Sequence, residues 1–429
     1  MAEKTVKVAL LGAGTVGSQT ARLLVEQADE LARRAGARIE LTGVAVLDPN
    51  EVNDPWIDKS LLTTETLDLT TRADIVVELI GGIEPARTFV LSALNHGASV
   101  VTANKALLAQ HGPELYEAAE KNGVDIYFEA AVGGAIPIVR PLRESMVGDR
   151  INRIMGIVNG TTNYILDEMT TEGLAFDTVL KDAQAKGFAE ADPTADIGGF
   201  DAAAKAAIMA VLAFHRDVRM DDVNIEGIEH VTESDIAAAR AMNRIIKLLA
   251  VVERSEQGIT AGVYPVMLPE NHQLAKVSGS FNAVFVEGEA SDDLMFYGRG
   301  AGGAPTASAV AGDIVTVARH RAAGSTGPLI PLYSNEPIVD ASDVESSYMM
   351  RLSVADAVGV LARVSDIFAK HNISIRAVQQ RPEEDENGNH ELWITTHNVA
   401  DRVIRETAEE VSNAKSIGSV LSIMRVFED

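Results

Sequence analysis

The stretch "VKVALLGAGTVG", residues 6–17, decides how the N-terminal part of this chain folds. Val6–Leu11 is apolar except for Lys7, as in a strand buried on both faces. It runs directly into three glycines and a helical pattern from Thr15 to about Arg34. Gly12, Gly14 and Gly17 stand in G-x-G-x-x-G register between strand and helix, the context that gives this motif its meaning. Gly12 permits the tight turn, Gly14 lets the backbone approach a pyrophosphate, and Gly17 lets the helix pack close on the strand. Free N–H groups at the helix start, with Thr15 and Val16 in its first turn, suit the phosphates. The same glycines would serve a ligand-free turn, but a strand before and a helix after favour a dinucleotide site.

Further along, "IELTGVAVLD" (39–48), "ADIVVELIG" (73–81), "GASVVTA" (97–103) and "VDIYFEAA" (124–131) read as strands, with amphipathic stretches between them. Apolar strands alternating with helices predict a Rossmann-type doubly wound parallel sheet over residues 1–137, completed by 305–330. Asp48 ends the second strand without an adjacent arginine, which points to NAD, while Lys59 is placed to reach the 2′-phosphate of NADP; the choice stays open.

The rhythm changes after residue 138. "INRIMGIVNGTTNYILDEM" (151–169) joins a strand to a helix, "FDAAAKAAIMAVLAFH" (200–215) reads as a long helix, and "GITAGVYPVML" and "SFNAVFVEGEA" read as strands of a mixed sheet. Residues 138–304 are therefore a second, α+β domain. The stretch 324–346, with three prolines and many small polar residues, reads as a linker, centred on 331–347. Residues 348–429 show β-α-β-β-α-β order, a ferredoxin-like module.

Composition narrows the partners. A formal net charge of −25 argues against binding nucleic acid or an anionic membrane surface. The absence of cysteine excludes disulfides and thiolate chemistry. The apolar run in "MAEKTVKVALLGAG" is too short for a signal-peptide core, and nothing approaches a membrane-spanning length, so a cytoplasmic protein is expected.

Two lysines carry the chemistry. Lys105, in "TANKALLAQH" (102–111), follows a buried strand, where a charge is costly without a task or partner. In "KGFAEADPTADIGGFDAAAKAA" (186–207), Glu190, Asp192, Asp196 and Asp201 precede Lys205. Asp201 and Lys205 are four apart, on one face if helical, and the residues after Asp201 are otherwise small or apolar. A surface ion pair would give the same spacing. A buried lysine needs the acidic partners just ahead of it, and carboxylates beside lysines suit a zwitterionic substrate. A nicotinamide enzyme must also move the proton of its carbonyl or alcohol oxygen, which a lysine of tuned pKa can do.

At this point the chain resembles the homoserine dehydrogenase family. The similarity is carried by "LLGAGTVG", "ELIGGIEPAR", "VVTANKALLA", "FEAAVGGAIPI", "GIVNGTTNYIL", "GFAEADPTADIGGFDAAAKAAI", "SFNAVFVEGEA" and "YGRGAGGAPTASAV", in order between about residues 6 and 312. The resemblance implies NAD(P)-dependent interconversion of L-aspartate 4-semialdehyde and L-homoserine, in threonine, methionine and isoleucine biosynthesis. It implies Lys205 as proton donor, Glu190 and Asp201 on homoserine with Asp196 nearby, and Lys105 between nicotinamide and substrate. It also implies Thr161 or Thr162 on the amino acid, and Gly187 and Gly302 on the cofactor. A monovalent cation, sodium, would sit at Glu129 and the main-chain carbonyls of Val132, Gly134 and Ile136, in a glycine-rich turn that would equally serve as a hinge. Many relatives place arginine near the end of the second strand, where this chain has Leu47, which bears on NADP preference.

Residues 348–429 resemble an ACT domain, on "YMMRLSV" followed by "DAVGVLARVSDIFAKHNISI". Asp356, Gly359, Val360 and Leu361 match its loop, with Val358 in place of a frequent proline. The resemblance implies L-threonine as effector, edge strands paired between chains, and a homodimer or homotetramer; a module that only assists assembly is the alternative. "RPEEDENGNH" (381–390) reads as a solvated loop. Other readings are a dehydrogenase of another small amino acid or semialdehyde, and a sensor without turnover. A sensor would not need Lys105, Asp201 and Lys205 together.

Overall fold

A computed structural model of the chain describes residues 4–384, 388–414 and 418–428. β1 (Thr5–Leu11) ends at Gly12, and α1 (Thr15–Glu26) starts after Gly14. β1 lies inside a parallel sheet with β2 (Arg38–Ala45), β3 (Leu62–Thr63), β4 (Ile75–Glu78), β5 (Ser99–Thr102) and β6 (Ile126–Tyr127). The strand order is 3-2-1-4-5-6, so the direction of winding reverses between β1 and β4. The crevice outside the carboxyl ends of those two strands is where such sheets bind ligands. β4 and β5 are buried throughout, which is why they read as unbroken apolar runs. Helices α2 (Ala28–Ala35), α3 (Thr66–Arg72), α4 (Ala86–Asn95) and α5 (Lys105–Asn122) run between the strands.

The second region contains β7 (Ile151–Ile157), β8 (Asn224–Ile225), β9 (Arg244–Ser255), β10 (Gly258–Pro269), β11 (Phe281–Gly288) and β12 (Asp292–Arg299). Its helices are α6 (Gly160–Glu172), α7 (Phe176–Ala185), α8 (Thr194–Ile197), α9 (Phe200–Phe214) and α10 (Glu233–Ala241). α9 is buried from Ala202 to Phe214, as its apolar circumference requires. α11 (Gly303–Ala323) then returns to the first sheet and packs on α1.

Three elements differ from the sequence reading. The helix expected from Thr15 to Arg34 breaks at Gln27, which lets Leu24 and Leu31 bury in one cluster. The strand expected over 124–131 pairs only at Ile126–Tyr127. The Glu129 N–H there donates to Asp313 of α11 (2.8 Å), and Glu129–Ala131 coils into a single turn. β12 was not anticipated, because this half-exposed edge strand opens on two aspartates and carries a glycine near its end.

The C-terminal module comprises β13 (Glu345–Ala355), α12 (Val360–Lys370), β14 (Ile375–Glu384), β15 (Asn389–Thr396), β16 (Val399–Ala400), α13 (Asp401–Asn413) and β17 (Gly418–Val426). The order β17-β13-β15-β14 is that of a ferredoxin-like sheet. Residues 385–387 of the loop "RPEEDENGNH" lie outside the described residues. β17 also pairs in parallel with β10, Val266 opposite Arg425 and Met267 opposite Val426. The two sheets expected to be separate therefore form one sheet of 11 strands, in which the β17 edge of the module is taken within the chain and β14 ends the sheet.

The stretch read as a linker is strapped down rather than free. Ile338 bridges to Ile259, Glu336 pairs with Arg254 (2.9 Å), the Ser334 N–H donates to the His215 carbonyl (3.0 Å), and residues 345–347 already belong to β13. The outer edge of β10 is thus covered in succession by Ile338, β8 and β17. Among the described residues no helix is long and apolar enough to cross a membrane.

Candidate active site

The glycine turn has the shape a dinucleotide needs. Gly12 adopts φ +106°, and a Cβ on Gly17 would lie 2.1 Å from the Gly12 carbonyl oxygen. A Cβ on Gly14 would meet nothing within 4 Å, so Gly14 is not demanded by packing and leaves room at the α1 N-terminus for phosphate. Gly14→Val is therefore expected to keep the melting temperature while weakening dinucleotide binding by about tenfold or more, measured calorimetrically. Gly17→Ala should instead lower the melting temperature, because backbone must move.

Val16 lines a cleft of about 610 Å³ that extends past Lys105, Gly187 and Gly302 to Asp196, Asp201 and Lys205. Thr15 stands beside it, where a Cβ on Gly303 would lie 2.9 Å from its Cγ2. Asp48 lies past the end of β2 and accepts from the Asn50 N–H (2.8 Å), while Leu47 is fully exposed and Lys59 begins a short turn.

Asp201 holds both lysines. One carboxylate oxygen pairs with Lys105 Nζ at 2.8 Å and the other with Lys205 Nζ at 2.6 Å. Lys105 is the first residue of α5, near the positive end of that helix, where a lysine is disfavoured unless an anion compensates. Asn104 fixes the position: its side chain caps the Leu107 N–H (3.1 Å) and donates to the Gly82 carbonyl (2.6 Å). Asp201 sits in the first turn of α9, where the helix favours a carboxylate.

The charges shift one another. Burial tends to raise the pKa of Asp201, but the two ammonium groups outweigh it and hold Asp201 far below the usual carboxylate range. Burial lowers the pKa of Lys205 below the ordinary lysine value of 10.5, and the charge of Lys105 lowers it further, against the pull of Asp201. Burial also works to lower the pKa of Lys105, but Asp201, Asp196 and Glu190 together raise it. Lys205 is therefore the lysine more easily deprotonated.

The remaining acidic residues separate by role. Asp196 accepts from Asn159 Nδ2 (2.7 Å), and the same nitrogen donates to Asp201 Oδ2 (2.9 Å). Glu190 is exposed and lines the cleft; Asp192 instead closes a local turn on Thr194. Lys105, Glu190, Asp196 and Asp201 also border an adjoining hollow of about 780 Å³. Of the two threonines, Thr161 lines the cleft and donates its hydroxyl to the Phe188 carbonyl (2.6 Å), holding the loop that carries Glu190. Thr162 is buried within α6, its hydroxyl on the Asn159 carbonyl (3.2 Å).

Two contributors escaped the sequence reading. Asn159 caps α6 while tying Asp196 to Asp201; an asparagine ahead of Gly-Thr-Thr was its only signal. Lys247 of β9 is fully buried and donates to Asn163 Oδ1 (3.0 Å) and the Val277 carbonyl (2.6 Å), and burial lowers its pKa to about 8. Nothing in its strand-like surroundings marked it.

The Glu129 carboxylate accepts the N–H groups of Val139 (2.8 Å) and Arg140 (3.0 Å), and burial, reinforced by Asp313, raises its pKa to about 7. Val132, Gly134 and Ile136 follow in a tight turn, and a Cβ on Gly134 would lie 2.4 Å from the Gly300 carbonyl oxygen. Among the described residues no group of three or more His, Asp or Glu side chains is arranged to hold a metal ion.

A dinucleotide turn that opens onto two lysines sharing one carboxylate answers the needs of a nicotinamide-dependent dehydrogenase acting on a small charged carbonyl compound. Comparison with known proteins narrows this class. The family model described as homoserine dehydrogenase matches residues 137–315, its NAD-binding domain matches 12–129, and an ACT domain matches 348–415. A homoserine dehydrogenase of Mycobacterium leprae is 48% identical over 434 residues, covering 99% of this chain and 98% of that one. The crystal structure of a homoserine dehydrogenase from Thiobacillus denitrificans superposes with a TM-score of 0.92 at 39% identity, covering 99% of each chain. A hyperthermophilic archaeal homoserine dehydrogenase in complex with NADPH matches at 28% identity and a TM-score of 0.63, covering 73% of this chain and 97% of that one. The chain belongs to the homoserine dehydrogenase family. It is an NAD(P)-dependent oxidoreductase of amino-acid biosynthesis that interconverts L-aspartate 4-semialdehyde and L-homoserine.

Proposed function

We propose that Lys205 exchanges the proton of the substrate's C4 oxygen while Lys105 binds and orients substrate and nicotinamide. The observation that carries this reading is Asp201, which pairs with one lysine through each oxygen. Lys205 Nζ also donates to the Val158 carbonyl at 2.6 Å, so two of its three hydrogens are held by protein. The third is left for the substrate oxygen. When Lys205 is neutral the same two contacts hold its two hydrogens, and the lone pair occupies that direction. The amine is thereby aimed equally well as acid or as base.

The glycine turn, the open space at Gly14 and the cleft beyond them suit a dinucleotide, with Gly12, Gly14, Thr15, Val16 and Gly17 at the phosphates and Gly187 and Gly302 on the far wall. Bound there, its nicotinamide accepts or supplies the hydride. Glu190 and Asp196 are placed to hold the substrate ammonium, with Thr161 supporting their loop. Exposed Leu47 beside Asp48 offers no charge to a 2′-phosphate, which favours NAD over NADP. The turn Val132–Ile136 beside Glu129 presents neutral main-chain oxygens, a donor set suited to sodium. A cation there would stiffen the wall against Gly300.

In the C-terminal module a hollow of about 430 Å³ is lined by Asp356, Gly359, Val360, Leu361 and Gln380. It suits L-threonine, with the carboxylate at the start of α12. The apolar face of the mixed sheet, with Met295 and Tyr297 exposed, favours a homodimer, and the free β14 edge leaves room for a tetramer. The setting is the cytoplasm.

The test is the pH profile of homoserine oxidation. Lys205 must start neutral to take the hydroxyl proton, so kcat/KM should rise with pH through a pKa below 10.5; aldehyde reduction should fall through the same limb. Lys105→Met removes a neighbouring positive charge, so the limb should move to higher pH, with kcat/KM reduced roughly 10- to 100-fold. A limb that stays in place in Lys105→Met would refute the coupling. Added L-threonine should change the rate, and Asp356→Ala should blunt that response.

A further inference from the structure

Asn282, on β11, is 1% exposed and lines the cleft, yet its Oδ1 has no hydrogen-bond partner. An amide oxygen buried without a partner costs about 1–3 kcal/mol, and a cleft-lining position means that a ligand can supply the missing donor. The surroundings are built around this amide. A Cβ on Gly300 would lie 1.9 Å from Asn282 Nδ2, and a Cβ on Gly160 would lie 3.5 Å from Oδ1, so the amide lies between two residues that carry no side chain.

The base beneath it is rigid. Asn163 Nδ2 donates to the carbonyls of Val277, Gly279 and Phe281 (3.2, 2.9 and 3.3 Å), and Lys247 adds its own bond to Val277 (2.6 Å). The start of β11 is therefore fixed before any ligand arrives, and Asn282 pairs with Gly298 of β12 in the ladder.

Position decides which ligand group it meets. Gly300 leads to Gly302 and Gly303, and Gly303 packs on Thr15 of the phosphate-binding helix start. Asn282 thus stands on the cofactor's side of the cleft. The substrate ammonium already has Glu190 and Asp196 as acceptors on the other side, and a substrate carboxylate brings no donor for Oδ1. A substrate or ribose hydroxyl would meet Oδ1 through a single atom, whereas the nicotinamide carboxamide offers a donor and an acceptor on two atoms, matching Oδ1 and Nδ2 together. We propose that Asn282 recognises that carboxamide as a two-point amide pair and so fixes the orientation of the ring over the substrate. This rests on the reading that the nicotinamide end of the dinucleotide occupies this cleft.

The experiment is a calorimetric titration of the whole protein with the natural oxidised dinucleotide and with its 3-acetylpyridine analogue, whose acetyl group keeps the acceptor and lacks the N–H. Wild type should bind the natural dinucleotide about tenfold more tightly. Asn282→Ala, and Asn282→Leu, which keeps the volume between Gly160 and Gly300, should lose that preference while leaving the KM for homoserine near wild type. The proposal is overturned if wild type binds both dinucleotides equally, if the variants lose affinity for both alike, or if the change falls on homoserine. The loss of turnover in Lys205→Ala is measured separately, so failure of this pair does not imply failure of the acid–base reading.

Discussion

Replacing Lys205 with alanine is expected to lower kcat for homoserine oxidation by about 10²–10⁴, with dinucleotide affinity changed less than about threefold. The amine is buried and held at 2.6 Å by Asp201 and at 2.6 Å by the Val158 carbonyl, which fixes where its proton is exchanged. Asp201 is a poor substitute, because Lys105 still pairs with it in the variant and favours its ionised form. Lys205→Arg should not rescue, since a guanidinium keeps its proton across the working pH range. The alkaline rise in kcat/KM should vanish in both variants. A retained pH limb, or a kcat within threefold of wild type, would remove Lys205 from the chemistry.

The second large effect concerns stability. Asp235, near the start of α10, is 1% exposed and gathers four donors: Arg351 of β13 at 2.6 Å, Ser422 of β17 at 2.5 Å, and the Thr232 N–H and hydroxyl at 3.0 and 2.7 Å. Arg351 is itself buried and reaches Glu391 at 2.7 Å. Asp235→Ala leaves a buried guanidinium with one partner and removes the Asp235 half of the capping box it forms with Thr232, a loss of about 3–5 kcal/mol. Replacing the pair with apolar residues, Asp235→Leu with Arg351→Met, should recover most of it, because the cost comes from the stranded charge. Urea unfolding followed by tryptophan fluorescence in a Trp56→Phe background suits the measurement, since the Trp393 indole donates to Glu391 at 2.8 Å and reports on this network. A loss below about 1 kcal/mol would place the pair with ordinary surface ion pairs.

What the sequence made legible was local. "GAGTVG" carries its own strand and helix, and the four-residue step from Asp201 to Lys205 places both on one helical face. The fact that Lys105 meets the same carboxylate was not visible, because α5 and α9 are about a hundred residues apart and periodicity is silent on long-range contacts. Asn159, Lys247 and Asn282 were missed for a related reason. Each is a single polar residue in a stretch that already reads well as cap or strand, and its meaning comes from partners on other elements, or from the lack of one. The pairing of β17 with β10 joins residues that also lie far apart in sequence, so two good local readings gave two sheets where the chain builds one.

That pairing bears on how the protein can be taken apart. The C-terminal module has the outline of a detachable cassette, and trimming at 324–344 is the obvious cut. Such a cut would strip β17 from β10, bare the main-chain groups of Val266 and Met267, and leave Asp235 without Arg351 and Ser422. A bare strand edge is a template for sticking to other chains. Truncated protein should therefore aggregate before it reports on regulation, and a chimera that exchanges regulatory modules should carry the edge of β10 and the Asp235 end of α10 along with the graft.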